Sequence, residues 1–212
     1  MNKTLIILLI LIAIECNSQN FEGIITYEVK IKNPNPELMS DSLFFLKSQK
    51  SYIEKYYYKE NKYKSVAKIN GEKETELYDP IKQRIYTYDK DEDFASWTDT
   101  TKRLDEIVGI KESEKTIKFL DLNCKALAFG LKSGIMFFIY SKKLSLNAEL
   151  FKEHKYNFWF DYLNLTNSIP LKIKIQTQFE NRTLTAINIE RVKLSDNEFR
   201  IPEFKQIIES LN

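Results

Sequence analysis

The 212-residue chain contains two cysteines, one histidine, five glycines and five prolines, and its 32 lysines and arginines nearly cancel 30 aspartates and glutamates. Each shortage excludes something. A single histidine, His154, rules out a His-rich zinc site, and any Ser-His-Asp or Cys-His arrangement would have to use it. It sits in Glu153-His154-Lys155, a charged tripeptide that reads as a solvated turn. So few glycines leave no Gly-rich phosphate loop. A formal net charge of +2 provides no field strong enough to argue for nucleic acid or an anionic membrane surface. The longest apolar run, Leu5 to Ile14, is ten residues. At about 1.5 Å per residue it covers roughly half of a hydrocarbon core about 30 Å thick, too short for a transmembrane helix.

That run follows Lys3 and precedes Glu15-Cys16-Asn17-Ser18, the order of a secretory signal peptide. Cleavage is expected after Ser18, because Glu15 directly before Cys16 argues against lipid attachment at that cysteine. The expected product, residues 19–212, is a single β-rich domain that is periplasmic or secreted, with no transmembrane span. Cleavage leaves Cys124 as the one cysteine, so no internal disulfide forms. Its place in the apolar stretch Asn123 to Leu131 reads as a buried free thiol.

What the chain has in quantity is aromatic surface: 12 tyrosines, 14 phenylalanines and 2 tryptophans. Aromatic and β-branched side chains fit a pleated, half-buried sheet. Period-two alternation predicts strands at Phe21 to Lys32, Ser51 to Lys59, Lys62 to Ile69, Glu74 to Tyr78, Arg84 to Tyr88, Phe94 to Trp97, Thr116 to Leu122, Lys125 to Leu131, Ile135 to Tyr140, Ile169 to Phe179 and Thr183 to Leu194. Asn70-Gly71 is a strong hairpin signal, and Asp79-Pro80 and Lys132-Ser133-Gly134 mark further turns. Helices are expected from Pro36 to about Lys47, near Lys102 to Val108, and after Pro202, where Phe204, Ile207, Ile208 and Leu211 share one stripe. Leu150 to Leu163 is ambiguous, with Tyr156, Phe158 and Phe160 alternating against Asn157, Trp159 and Asp161.

The acidic run Asp89 to Asp93 starts like a calcium loop, but Phe94 stands where the tight glycine belongs and Thr100 where the bidentate glutamate belongs. A solvated loop is the reading. Tyr52, Tyr56, Tyr57, Tyr58 and Tyr63 among lysines could stack bases, yet cross-strand pairing explains them with the lysines on the wet side. No metal, cofactor or catalytic signature emerges, and the chain reads as non-enzymatic.

Phe21-Glu22-Gly23-Ile24-Ile25-Thr26-Tyr27-Glu28, Cys124-Lys125-Ala126, Ile169-Pro170-Leu171-Lys172-Ile173 and Phe199-Arg200-Ile201-Pro202 together resemble the GLPGLI-type exported proteins of Bacteroidetes-type bacteria and their uncharacterised relatives. Asn167-Ser168-Ile169-Pro170-Leu171 occupies the region of the Gly-Leu-Pro-Gly-Leu-Ile core, so a sister family is the reading. The resemblance implies, by fold-level analogy, a sheet like that of Lol-type lipoprotein carriers.

The expected fold is therefore mainly β: a curved antiparallel sheet or open half-barrel with a few short helices, one of them C-terminal. Ile135 to Tyr140 and Tyr156 to Phe160 are apolar on both faces, more than a one-faced sheet needs. This excess suggests a concave face that holds a hydrophobic ligand or a lipoprotein acyl chain, with Tyr86, Tyr88, Met136, Phe138, Tyr140, Phe158 and Phe160 on it. The alternative is an interaction module that docks on another envelope or secretion component.

Overall fold

A computed structural model of the chain describes residues 20–45, 50–89 and 93–210. The leader, its cleavage site and the middle of the acidic run lie outside the described residues. The alternating segments form β1 (Gly23–Lys32), β2 (Ser51–Lys59), β3 (Lys62–Ile69), β4 (Glu72–Asp79), β5 (Arg84–Asp89), β6 (Phe94–Asp99), β7 (Ile107–Glu112), β8 (Ile117–Phe119), β9 (Leu122–Leu131), β10 (Gly134–Ser145), β11 (Ser168–Thr177), β12 (Asn181–Arg191) and β13 (Gln206–Glu209). Two short helices, α1 (Asp41–Phe44) and α2 (Trp159–Thr166), complete the described structure together with three short 3₁₀ turns.

All but one of the pairings are antiparallel, and the strands run β13-β6-β5-β4-β3-β2-β1-β12-β11-β10-β9-β7, with β8 paired to β9 off this path. The sheet is mainly built from hairpins, as short connections dictate. Asn70 (φ 53°) and Gly71 (φ 93°) make the β3–β4 turn with both central residues left-handed, the conformation that matches the twist of the flanking strands. At the β4–β5 turn, Asp79 accepts backbone hydrogen bonds from Ile81 (2.9 Å) and Lys82 (3.2 Å).

The sheet is open and strongly curled. From β3 to β10 is five strand spacings, about 24 Å if the sheet were flat. Ring-to-ring steps of 6.1 Å from Tyr63 to Trp159, 6.0 Å to Tyr162 and 4.5 Å to Phe138 span the same strands through space. Strands so far apart in the sheet can meet one helix only if the sheet wraps around it. The concave face therefore holds the core, with Ile25, Tyr27, Val29, Phe129, Phe138 and Leu184 buried on it under Tyr162 and Leu163. Each such large apolar side chain contributes about 1.5–3 kcal/mol on burial. Cys124 is a buried free thiol, as its apolar setting implies.

Four sequence expectations are corrected. The helix expected from Pro36 is reduced to Asp41–Phe44, and residues 46–49 lie outside the described residues. The stretch from Lys102 to Val108 is not helical: Asp105 is tied down through Ser133, whose backbone N–H and hydroxyl both donate to it, and β7 then joins the edge of β9. Within the ambiguous stretch Leu150 to Leu163, the strand expected at Tyr156 to Phe160 does not form. Asn157 (φ 49°) and Phe158 (φ 58°) are left-handed and end any extension, after which Trp159, Tyr162, Leu163 and Thr166 follow helical spacing. Asn167 closes α2 in the left-handed conformation, a common helix stop.

Residues 203–210 do not form the expected helix, and Leu211 of its stripe lies outside the described residues. Gln206–Glu209 adds to β6 as the one parallel strand, satisfying edge groups that a helix would leave bare. Lys205 pairs with Asp93 and the Phe204 ring packs 5.1 Å from Tyr88, which fixes the segment in extended form. The helix toward the C-terminal part of the chain is α2 instead. No helix among the described residues is long and apolar enough to cross a membrane.

Candidate ligand cavity

Inward positions on β2, β3 and β4 form a grid. Glu54 pairs with Ala67, which pairs with Glu74; Tyr56 pairs with Ser65, which pairs with Glu76; Tyr58 pairs with Tyr63. The middle strand thus carries small side chains between larger ones on either side. Space opens over Ser65 and Ala67 as a direct result. The segment after β10 covers this space only in part, with His154, Tyr156 and Trp159 forming a roof, and a cavity of about 160 Å3 remains between roof and sheet. Tyr27, Tyr52, Ile85, Ile173 and Arg182 complete its walls.

The chemistry of these walls is mixed. Glu54 is 5% exposed, and its Oε2 has no hydrogen-bond partner among the described residues. Burial raises its pKa against the opposing hydrogen bonds of Ser65 and Tyr56 and the charge of Arg182. Glu76 is pushed up to about 7, first by burial and then by the charge of Glu54. Glu74 is raised as well, by burial, Asp89 and Glu54. Three carboxylates whose ionised forms are all penalised therefore face one small space.

Arg182 is their nearest positive charge, but its Nε lies 2.7 Å from Glu180 Oε1. Burial acts to lower the Arg182 pKa; Glu180, Tyr56, Tyr52 and Glu54 outweigh it and hold the guanidinium charged. Burial raises Tyr56 and Tyr63 well above the usual phenol range, so both remain neutral.

His154 corrects the sequence reading. It is not in a solvated turn: only 2% of it is exposed, and its Nε2 lies 2.7 Å from the Tyr63 hydroxyl. Its ring packs between Tyr78, at 4.7 Å, and Trp159, at 6.5 Å. Burial lowers its pKa to about 3, so the imidazole is neutral. Nδ1 has no partner among the described residues.

The structure divides the seven residues expected on the concave face. Tyr86 and Tyr88 alternate with Ile85, which lines the cavity, and so lie on the opposite face; Tyr86 pairs with Leu77 and Trp97, and Tyr88 packs on Phe204. Phe138 and Tyr140 are buried against Tyr162, with centroids at 4.5 and 6.3 Å. Met136 and Phe158 line a separate, more open cavity of about 330 Å3 beside Leu131 and Ile175. Phe160 is half-buried with Lys155 Nζ 4.2 Å from its ring centre. The apolar half of the concave face is thus filled by α2, while the cavity lies over the Glu- and Tyr-bearing strands. One signal for it was present in the sequence: Tyr52, Glu54, Tyr56 and Tyr58 share one face of β2, which places an acid in an otherwise aromatic row.

No protein-family model matches the chain. Nor does any curated protein match it. Among solved structures the chain is similar to an uncharacterized conserved protein from Thermus thermophilus, with a TM-score of 0.48 and 8% identity over 95% of this chain and 99% of that one. It is also similar to PNGF-II in its P21 and C2 crystal forms, with a TM-score of 0.45 and 14% and 13% identity over 90% of this chain and 31% of PNGF-II. Likeness at this level carries no argument about the fold or the cavity. Among the described residues no group of three or more His, Cys, Asp or Glu side chains converges as a metal-ligand set.

Proposed function

We propose that this protein is an exported, non-enzymatic binding protein that holds a small ligand with substantial apolar surface on the concave face of its sheet. The observation that carries the reading is the cavity left where β3 is small and the 154–159 roof is incomplete. A core with no function to serve would fill that space, since protein interiors pack to about 0.74–0.76 density. Its leader supports export, and its aromatic walls supply the contact area.

The size of the cavity narrows the ligand. An engineered apolar cavity of about 150 Å3 holds benzene, so about 160 Å3 holds a ring-sized group and not the length of an acyl chain. A lipoprotein acyl chain would enter by its terminal carbons unless the roof moved. Native mass spectrometry of protein purified from the cell envelope, with extraction of any bound molecule, tests the reading. A co-purifying small molecule supports it. Ligand-free protein whose Trp159 fluorescence shows no saturable change with any apolar or amphiphilic probe would overturn it.

Docking on another envelope component is the second reading, favoured by one observation. Among the described residues β7 is an edge strand with no partner on its outer side, and Val108 (62%) and Ile110 (55%) are exposed on it, an apolar edge of the kind that accepts an added strand.

A further inference from the structure

The cavity combines features that point to a particular ligand charge. Glu54, Glu74 and Glu76 face it, none of them in an ion pair among the described residues, while Arg182, the one arginine on its wall, lies against Glu180 and offsets Glu54 and Glu76 only through space. Glu54 Oε2 is a polar atom of a side chain that is more than nine-tenths buried, and it is unpartnered in a site walled by rings. Carboxylates at least partly buried and only partly compensated are unfavourable in a folded protein. They are retained where a counter-charge arrives from outside.

The carboxylates do not gather closely enough with other donors to make a metal set. A cation that suits walls of rings as well as carboxylates is broad and weakly hydrated. Tyr63 and Trp159 meet with ring centres 6.1 Å apart and planes inclined by 60°, forming a corner, and Tyr56 and Tyr156 stand on adjoining walls. Aromatic side chains around a space of about 160 Å3, next to carboxylates, match the composition of sites that recognise alkylammonium groups through cation–π contact. An ammonium carrying methyl or methylene groups satisfies both parts: its charge offsets the glutamates and its apolar surface lies against the rings.

We propose that the cavity is a binding site for a small alkylammonium group, with Glu54 and Glu76 as counter-charges and Tyr56, Tyr63, Tyr156 and Trp159 as the aromatic cage. It rests on the reading of the cavity as a ligand site, and deepens it by assigning the ligand a charge. The groups that set its pH response are Glu54, Glu74 and Glu76 on the sheet, Asp89 beside Glu74, Arg182 with Glu180, and His154 in the roof. His154 is neutral down to about pH 3, so it adds no competing charge at working pH. Glu76, near 7, has to lose its proton to hold the cation, and affinity falls as the pH is lowered through that value.

The test compares choline with 3,3-dimethylbutan-1-ol, which has the same shape without the charge, by calorimetry and Trp fluorescence on the protein without its leader. Choline is expected to bind roughly tenfold or more tightly than the neutral alcohol. Glu54→Gln and Tyr156→Leu should each weaken choline roughly tenfold, and Glu54→Gln should not lower thermal stability, because it removes a buried unpaired charge. Choline affinity should drop between pH 8 and pH 5.5. Equal binding of the two probes would overturn the charge assignment and leave the cavity reading standing. Wild-type choline affinity in folded Glu54→Gln would also overturn it. If neither probe binds, the alkylammonium assignment falls, and the broader reading is judged by the co-purification experiment alone.

Discussion

Replacing Glu76 with Gln should stabilise the protein at high pH and leave it unchanged at low pH. The carboxyl pKa is pushed from 4.5 to about 7 in the folded chain. The native state then binds more protons than the unfolded state between those values, so native stability falls as the pH rises from about 4.5 to 7 and stays at its lower level above that. A displacement of about 2.5 pH units corresponds to about 3 kcal/mol as an upper bound. Glu76 keeps part of its surface toward the cavity it lines, and solvent there reduces the expected gain to about 1–3 kcal/mol. For a domain of this size each kcal/mol moves Tm by roughly 2–4 °C. Glu76→Gln should therefore raise Tm by roughly 3–10 °C at pH 8 and by nothing measurable at pH 4, where both forms are neutral. The assay is thermal unfolding of wild type and variant by circular dichroism at both pH values. A gain equal at pH 4 and pH 8, or a loss at pH 8, would refute the reasoning. Glu54 and Glu74 titrate as a set with Glu76, so the Glu54→Gln, Glu76→Gln double variant should gain less than the sum of the singles.

Other consequences are open to similar measurement. The His154 pKa is depressed from 6.5 to about 3, so the folded state loses stability as the pH falls through that window. His154→Phe keeps the ring between Tyr78 and Trp159 but leaves the buried Tyr63 hydroxyl without its partner, so it should cost about 1–3 kcal/mol at pH 7.5 and recover about 3 kcal/mol relative to wild type on going to pH 4; a stability difference from wild type that is the same at both pH values would contradict this. Gly23→Ala would place a Cβ 2.0 Å from Glu190 O at a φ of 152°. It should cost about 2–4 kcal/mol by forcing β1 and β12 apart, and an unchanged urea midpoint would show that the pairing yields more readily than its geometry indicates.

Much of the sheet was legible because its signals are local. Alternation located β1 to β6 and β9 to β12, and Asn70-Gly71 marked its hairpin, since strand period and turn chemistry depend only on neighbouring residues. The elements that went astray were decided by distant partners. The stripe of Phe204, Ile207 and Ile208 has helical spacing, yet an open β6 edge 112 positions upstream claimed it as a strand, pairing Gln206 with Phe94 and Ile208 with Ser96. Tyr156 to Phe160 alternates like a strand, yet two left-handed residues and the need to cover a curled sheet made it a turn and the start of a helix. The cavity was the least legible feature. It depends on which strands lie side by side, and no local pattern shows that Ser65 stands between Tyr56 and Glu76. The lone histidine was misread for a related reason: two charged neighbours suggested water, while Tyr63 and Tyr78, far away in sequence, enclose it.

The position of β1 has a kinetic consequence. It lies mid-sheet with β2 on one side and β12 on the other, and its Gly23 pairs with Arg191, 168 positions later. The two hairpin arrays that flank it, β2 to β6 and β9 to β12, can each assemble from contacts between near neighbours, but joining them requires the closure of almost the whole chain. Such high contact order makes the β1–β12 seam the slow step of folding. Until the seam closes, β1 and β12 are both open edges, the condition that promotes aggregation. A chain cut just before Asn181 would lose β12 and β13, and of these it is β12 that makes two sheets into one.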